Sequence, residues 1–200
     1  MPRVAIIGAG FGGIAAAAAL TAAGHRDVVI LEKGPGIGGV WRDNTYPGCA
    51  CDVPAPLYSY SFAPNPHWTR RYPPQREILA YLRRCAAELG LAGLVRPDTE
   101  VESAIWNEEG RHWRVRTTGG AEIVADVLVP AVGQLSRPAV PELPGAGTFA
   151  GPALHTARWD PGLRVRDRTV GVIGTGASAI QFVPAIAPRT AALTVFQRSA

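Results

Sequence analysis

Three glycines and one acid carry the first chemistry in this chain. Gly8, Gly10 and Gly13 follow the apolar run Val4-Ala5-Ile6-Ile7, and Glu32 stands 24 residues after the first of them. In a strand–turn–helix each glycine has its own task. The first permits a tight turn, the second lets a phosphate approach the backbone, and the third lets the helix close on the strand. The start of such a helix presents unpaired N–H groups and the positive end of its dipole, which together can seat a pyrophosphate. A carboxylate at Glu32, ending the next strand, can accept hydrogen bonds from both ribose hydroxyls of an adenosine.

The phrase is written twice. Val170-Gly171-Val172-Ile173-Gly174-Thr175-Gly176-Ala177-Ser178-Ala179-Ile180 repeats Val4 to Ile14 in register, 166 residues later. Gly174 and Gly176 hold the first two glycine places, Ala179 takes the third, and Ser178 beside it is a further candidate cofactor contact. The place of Glu32 is now held by Arg198, again 24 residues after the first glycine. A guanidinium pairs bidentately with phosphate where an acid would repel it, so this copy favours NADP over NAD. The two copies predict an FAD site that uses an acid and an NADPH site that uses a base. Together they imply hydride transfer from nicotinamide to flavin.

The elements that must position these residues form an α/β pattern. Arg3 to Gly8 is an apolar run without alternation, which predicts a strand covered on both faces. A small-residue helix from about Gly12 to Ala23 ends at Gly24, and Asp27 to Glu32 is the second strand. Residues 34 to 74 are rich in Gly, Pro and aromatics with little periodicity, and so long a loop points to function. Pro74 to Leu91 has helical spacing of Ile78, Leu79, Leu82, Ala86 and Leu89. Thr99 to Trp106, His112 to Thr118 and Ala121 to Ala125 read as a small antiparallel β meander, and Asp126 to Val132 as a return to buried strand. A Pro-rich connector leads to Thr169. The expected organisation is a Rossmann-like FAD-binding domain (first part) over 1–135, a linker over 136–168, and the start of a second Rossmann-like, NADP-binding domain over 169–200. A lone βαβ half cannot bury both faces of its sheet. The sequence is therefore expected to be the N-terminal part of a longer protein and inactive by itself.

Composition excludes other classes. An apolar fraction of 47% supports a real core. The net charge of +4 is carried by scattered arginines, Lys33 being the only lysine among 20 basic residues. A nucleic-acid partner would want a basic stripe with interleaved aromatics, and none is present. Cys49, Cys51 and Cys85 form no CxxC and no zinc spacing, so no metal site is expected, and their odd number reads as reduced thiols in a cytoplasmic protein. The N-terminus is read as entering a strand directly, so no charged leader is expected. The apolar run Ile14 to Ala23 is about half of the ~20 residues needed to span a bilayer, so no membrane role is expected.

Two further constellations carry a family resemblance. Gly39-Val40-Trp41, Tyr46-Pro47-Gly48 and Asp52 resemble the GxWxxxxYPGxxxD signature of Baeyer–Villiger monooxygenases. Phe149-Ala150-Gly151, His155, Trp159 and Asp160 are similar to that family's FxGxxxHxxxW fingerprint followed by Pro or Asp. Leu135-Ser136-Arg137-Pro138 to Pro144-Gly145 resembles the linker before it. The resemblance implies a class B flavoprotein with FAD and NADPH, in which O2 adds to the reduced flavin as a C4a-peroxyflavin. That species converts a small-molecule ketone to an ester or lactone, or oxygenates a soft heteroatom.

The resemblance also implies residue roles. Asp52 would lie near flavin and nicotinamide and help orient an arginine. His155 would position NADPH and the domains, while Trp41, Tyr46, Tyr58 and Tyr60 would pack around the isoalloxazine. Cys49 and Cys51 would be packing thiols. The chain departs from the pattern at Val129-Pro130-Ala131-Val132-Gly133, where the superfamily often has Ala-Thr-Gly. The arginine that the family uses at the peroxyflavin would lie beyond residue 200. The signatures specify neither the ketone nor an oligomeric state.

Other readings of the same residues stand beside this one. A flavin-containing N- or S-monooxygenase shares both nucleotide folds, and a truncated FAD-binding remnant would bind flavin without turnover. A disulfide reductase-like flavoprotein would need a CxxC or CxxxxC pair, which is missing. Locally, Glu32 could end an ordinary turn, Arg198 could be a solvated side chain, and His155 could be satisfied within a connector.

Overall fold

The computed structural model describes residues 1–198. Ser199 and Ala200, the end of the expected second domain, lie outside the described residues. The chain packs as two units, each discontinuous in sequence. One comprises 1–42 with 79–137, the other 43–78 with 138 onward.

In the first unit, β1 (Val4–Ile7), α1 (Phe11–Ala22) and β2 (Val28–Leu31) form the βαβ core. β1 pairs in parallel with β2 on one side (Val4↔Val28, Ile7↔Leu31) and with the strand Val127–Pro130 on the other. The short strand Val95–Arg96 extends the sheet beyond β2. Numbered along the chain, Val95–Arg96 is β3 and Val127–Pro130 is β7, so the sheet runs β3-β2-β1-β7, all parallel. Central β1 is covered on both faces, and Val4, Ala5 and Ile6 are fully buried. Small side chains let α1 lie close to the sheet and bury Gly13, Ile14, Ala17 and Ala18. The helix ends at Gly24 (φ +89°), whose N–H donates to the Thr21 carbonyl. Glycine enters this left-handed conformation without a Cβ penalty.

The expected meander forms as β4 (Val101–Asn107), β5 (His112–Thr117) and β6 (Glu122–Ala125), antiparallel, with an irregularity between Val101 and Ser103. β7 departs from its expected burial: Val127 is exposed and Leu128 and Val129 only half-buried. It is the edge of the four-stranded sheet, where Pro130 is tolerated because no further strand needs its N–H. The long segment 34–74 also contains a short helix, α2 (Val40–Asp43), and a single 3-10 turn, Ala55–Leu57. β3 went unread because two residues are too short for a periodic signal. α3 (Gln75–Glu88) buries Ile78, Tyr81, Leu82, Cys85 and Ala86 along one stripe.

In the second unit, β8 (Thr169–Ile173) and β9 (Ala192–Phe196) pair in parallel, with α4 (Ala177–Ile186) between them in sequence. Their core gathers Tyr46, Val172, Phe182 and Ile186, with Cys49, Trp159, Val165 and Leu193 packed around it. Tyr46 thus supplies from segment 43–78 part of what a lone βαβ half lacks. Ile173, Ile180 and Phe196 remain exposed. Among the described residues no helix is long and apolar enough to cross a membrane.

Candidate functional site

The first glycine turn is built by steric necessity. Gly8 has φ +104°, and a Cβ there would stand 2.5 Å from the Ala131 carbonyl oxygen. Its N–H donates to Leu31 O (2.8 Å), which locks the turn onto the end of β2. A Cβ on Gly13 would overlap the Gly8 carbonyl oxygen. Gly10 differs, because its nearest neighbour is the Cα of Gly39 at 3.7 Å. Gly10 and Gly39 therefore form a bare-backbone notch at the start of α1, and the Gly38 N–H holds it closed by donating to Ala9 O (3.0 Å).

Glu32 sits at this notch, buried with 3% exposure. Its Oε2 accepts the Ala9 N–H (2.8 Å), and its Oε1 accepts the Gly34 N–H (2.8 Å) and Arg42 Nη1 (3.0 Å). Arg42 also donates to the Gly36 carbonyl. Trp41, one residue earlier in α2, is buried beside it in sequence. Arg42 escaped sequence reasoning because it falls at an unspecified place of the signature. The available signal was a lone arginine after the glycine-rich run 34–39.

The second turn repeats the backbone geometry of the first. Gly174 also has φ +104°, and its N–H donates to Phe196 O (2.9 Å) as that of Gly8 does to Leu31. The first helical bonds match too, Ile180 N–H to Gly176 O and Ile14 N–H to Gly10 O, both 3.1 Å. The surroundings differ: nothing lies within 4 Å of a Cβ at Gly174 or Gly176. Ala179 occupies the third place with its methyl, and Ser178 is exposed on the first turn of α4. Arg198 is exposed just past β9, whereas its counterpart Glu32 is enclosed.

Segment 45–50 is fastened to α4. The Tyr46 hydroxyl donates to Gln181 Oε1 (2.9 Å) and lies 3.4 Å from Ser178 Oγ. Gln181 Oε1 also accepts the Ala50 N–H (3.2 Å), and Gln181 Nε2 donates to Ala50 O (2.9 Å). Gly48 (φ +79°) fits because a Cβ there would overlap the Gln181 carbonyl oxygen. Burial pushes the Tyr46 phenol up to about 12, and burial likewise raises the Cys49 thiol. Gln181 is a second residue missed from sequence; it lies one turn beyond the glycine pattern, with no spacing signal of its own.

The structure gathers Gly8, Gly10, Gly13, Glu32, Gly39 and Trp41 in the first unit, and Tyr46, Gly174, Gly176, Ser178 and Ala179 in the second. The GxWxxxxYPGxxxD signature is thus divided between them. Tyr46 is a core residue under α4, and Tyr60 stacks on Phe62 at 4.7 Å. Asp52 is exposed, and among the described residues its carboxylate has neither an arginine partner nor a hydrogen bond. His155 Nδ1 accepts the Ala157 N–H (3.1 Å) and so caps the 3-10 turn Thr156–Arg158. Trp159 then meets Phe182 edge-on at 5.2 Å. All three cysteines are free, each with its thiol raised chiefly by burial, and none is paired for redox exchange.

Comparison with known proteins agrees with this geometry. Residues 6–72 match the NAD(P)-binding Rossmann-like domain family. A Baeyer–Villiger monooxygenase of Streptomyces coelicolor is 51% identical over 98% of this chain. This chain is a relative of the Baeyer–Villiger monooxygenases. A steroid monooxygenase solved with NADP superposes with a TM-score of 0.90, at 44% identity over 100% of the chain. OTEMO in complex with FAD and NADP superposes at 0.92, with 32% identity over 99%. The chain spans 38% of the Streptomyces protein and 39% of each solved relative.

Proposed function

We propose that the protein containing this chain is an FAD- and NADPH-dependent monooxygenase of Baeyer–Villiger type. The reaction consumes a ketone, O2, NADPH and a proton, and yields an ester or lactone, NADP+ and water. One observation carries the reading: two glycine turns of matching backbone geometry are each followed 24 residues on, once by an acid and once by a base, in a relative of known ketone oxygenases. The first turn suits FAD. Gly10 and Gly39 leave bare backbone for a pyrophosphate at the start of α1, and Glu32 is held as an acceptor beside it. The second suits NADPH, with open space at Gly174 and Gly176, Ser178 and Ala179 on the first turn of α4, and a cation at Arg198.

In this reading residues 1–135 contribute to the flavin domain, 136–168 link, and residue 169 onward opens the NADPH domain. When bound, the two cofactors supply hydride transfer and the activation of O2. The chain's own residues do the holding. Gly8 and Gly13 fix the first turn, Tyr46 ties segment 45–50 to α4 beside Ser178, and His155 shapes the turn that delivers Trp159 to the second unit's core. Asp52 offers an exposed carboxylate to an arginine from elsewhere in the protein.

The test uses the full-length protein with NADPH and a cyclic or aryl ketone under 18O2. A lactone or ester carrying one labelled oxygen supports the proposal. Sulfoxide or N-oxide formation without ester reassigns the protein to the heteroatom monooxygenases. Flavin binding without NADPH oxidation makes it a binding remnant.

A further inference from the structure

We propose that Arg42 restricts Glu32 to a single ribose hydroxyl and thereby sets how the first site reads its dinucleotide. The inference rests on taking that site as the FAD site. A carboxylate offers about four acceptor positions, two on each oxygen. Oε1 has both filled, by the Gly34 N–H and Arg42 Nη1, while Oε2 has one filled by the Ala9 N–H. One position on Oε2 is left. Glu32 therefore accepts one ribose hydroxyl, where an unencumbered acid would accept two.

Arg42 is built into this arrangement. Its side chain is 11% exposed and that of Glu32 4%, so the pair is screened from water. Buried pairs of this kind hold their geometry, because removing one partner leaves the other charge uncompensated. The loop before it is cut to fit. A Cβ on Gly34 would collide with the guanidinium, and one on Gly38 (φ +150°) would stand 2.6 Å from the Arg42 Cβ. Arg42 also donates to the Gly36 carbonyl, and its own N–H donates to Gly39 O (3.0 Å). Arg42, the 34–39 loop, Ala9 and Glu32 so form a closed set of contacts around the Gly10–Gly39 notch. The guanidinium also offsets the negative charge of Glu32 where an anionic pyrophosphate would arrive.

The experiment measures dissociation constants by flavin fluorescence, in the full-length protein, for FAD and two analogues lacking the adenosine 2′- or 3′-hydroxyl. A hydrogen bond to a charged group is worth about 1.5–3 kcal/mol, or roughly ten- to a hundredfold in affinity. The parent should lose about that much with one analogue and less than about threefold with the other. Arg42→Met frees Oε1, so the gap between the analogues should narrow while FAD itself binds about tenfold or more weakly. Arg42→Lys should restore part of the gap, which a merely structural loss would not do. Equal losses for both analogues in the parent overturn the inference, as does an unchanged gap in Arg42→Met. The parent's own gap decides the hydroxyl count even if Arg42→Met fails to fold. A parent that binds no FAD overturns the reading of the site itself.

Discussion

The hydroxyl of Tyr46 donates to the side-chain oxygen of Gln181 over 2.9 Å, joining residues 135 apart in sequence. The same amide also donates to and accepts from the backbone of Ala50. Gln181→Leu strips partners from three polar groups at once, whereas Tyr46→Phe removes one. Leaving a buried group unsatisfied costs about 1–3 kcal/mol. Urea unfolding should show Gln181→Leu destabilised by about 2 kcal/mol or more and Tyr46→Phe by about 1 kcal/mol. Equal costs would mean the phenol carries the whole contact.

Tyr46 also predicts an alkaline weakness. Its phenol ionises near 10 when unfolded and at about 12 when folded, because burial disfavours the phenolate. Between those values the folded state binds more protons, so stability falls as pH rises from about 10 to about 12 and is fully present below that window. Stability measured across it should fall more steeply for the parent than for Tyr46→Phe. Parallel curves would show that the phenol does not contribute.

The third glycine place separates the two turns. In Gly13→Ala the new methyl overlaps the Gly8 carbonyl oxygen, an overpacking that costs about 1–3 kcal/mol. Thermal unfolding should register that loss together with weaker flavin retention. Ala179→Gly only adds backbone freedom, costing about 0.5–1 kcal/mol.

Much of this was legible in the sequence because it is local. The βαβ halves announced themselves by apolar runs ending in glycine, and the meander by alternation broken at Asn107 to Gly110. Glu32 was legible from its place at the end of the second strand, 24 residues after Gly8. Long-range partners left no such trace. Nothing near Gln181 points to Tyr46, since their contact depends on where segment 43–78 packs. Arg42 stands next to Trp41, yet its target lies 10 residues earlier, across a loop whose path the sequence does not encode in any period. The burial of Val127–Pro130 was misjudged because an apolar run says that a strand is wanted, not whether a neighbour covers it.

Arg198 sets the last prediction. It is exposed, so Arg198→Ala should change stability by less than about 0.5 kcal/mol. If it grips a phosphate, the variant's kcat/KM ratio for NADPH over NADH should fall about tenfold or more in the full-length enzyme. An unchanged ratio would remove Arg198 from the site.

The division of the GxWxxxxYPGxxxD signature has a consequence for inheritance. A motif read as one word is two words written end to end, each answering to a different unit. Among descendants of a common ancestor, position 46 should drift together with 181, whose side chain the phenol bonds, and position 48 with 185, whose methyl would stand 3.0 Å from a Cβ there. Positions 39 and 10 should drift as a separate pair, since each keeps the other's backbone bare. Grafting half of the signature from one relative into another should therefore succeed when its own partners travel with it.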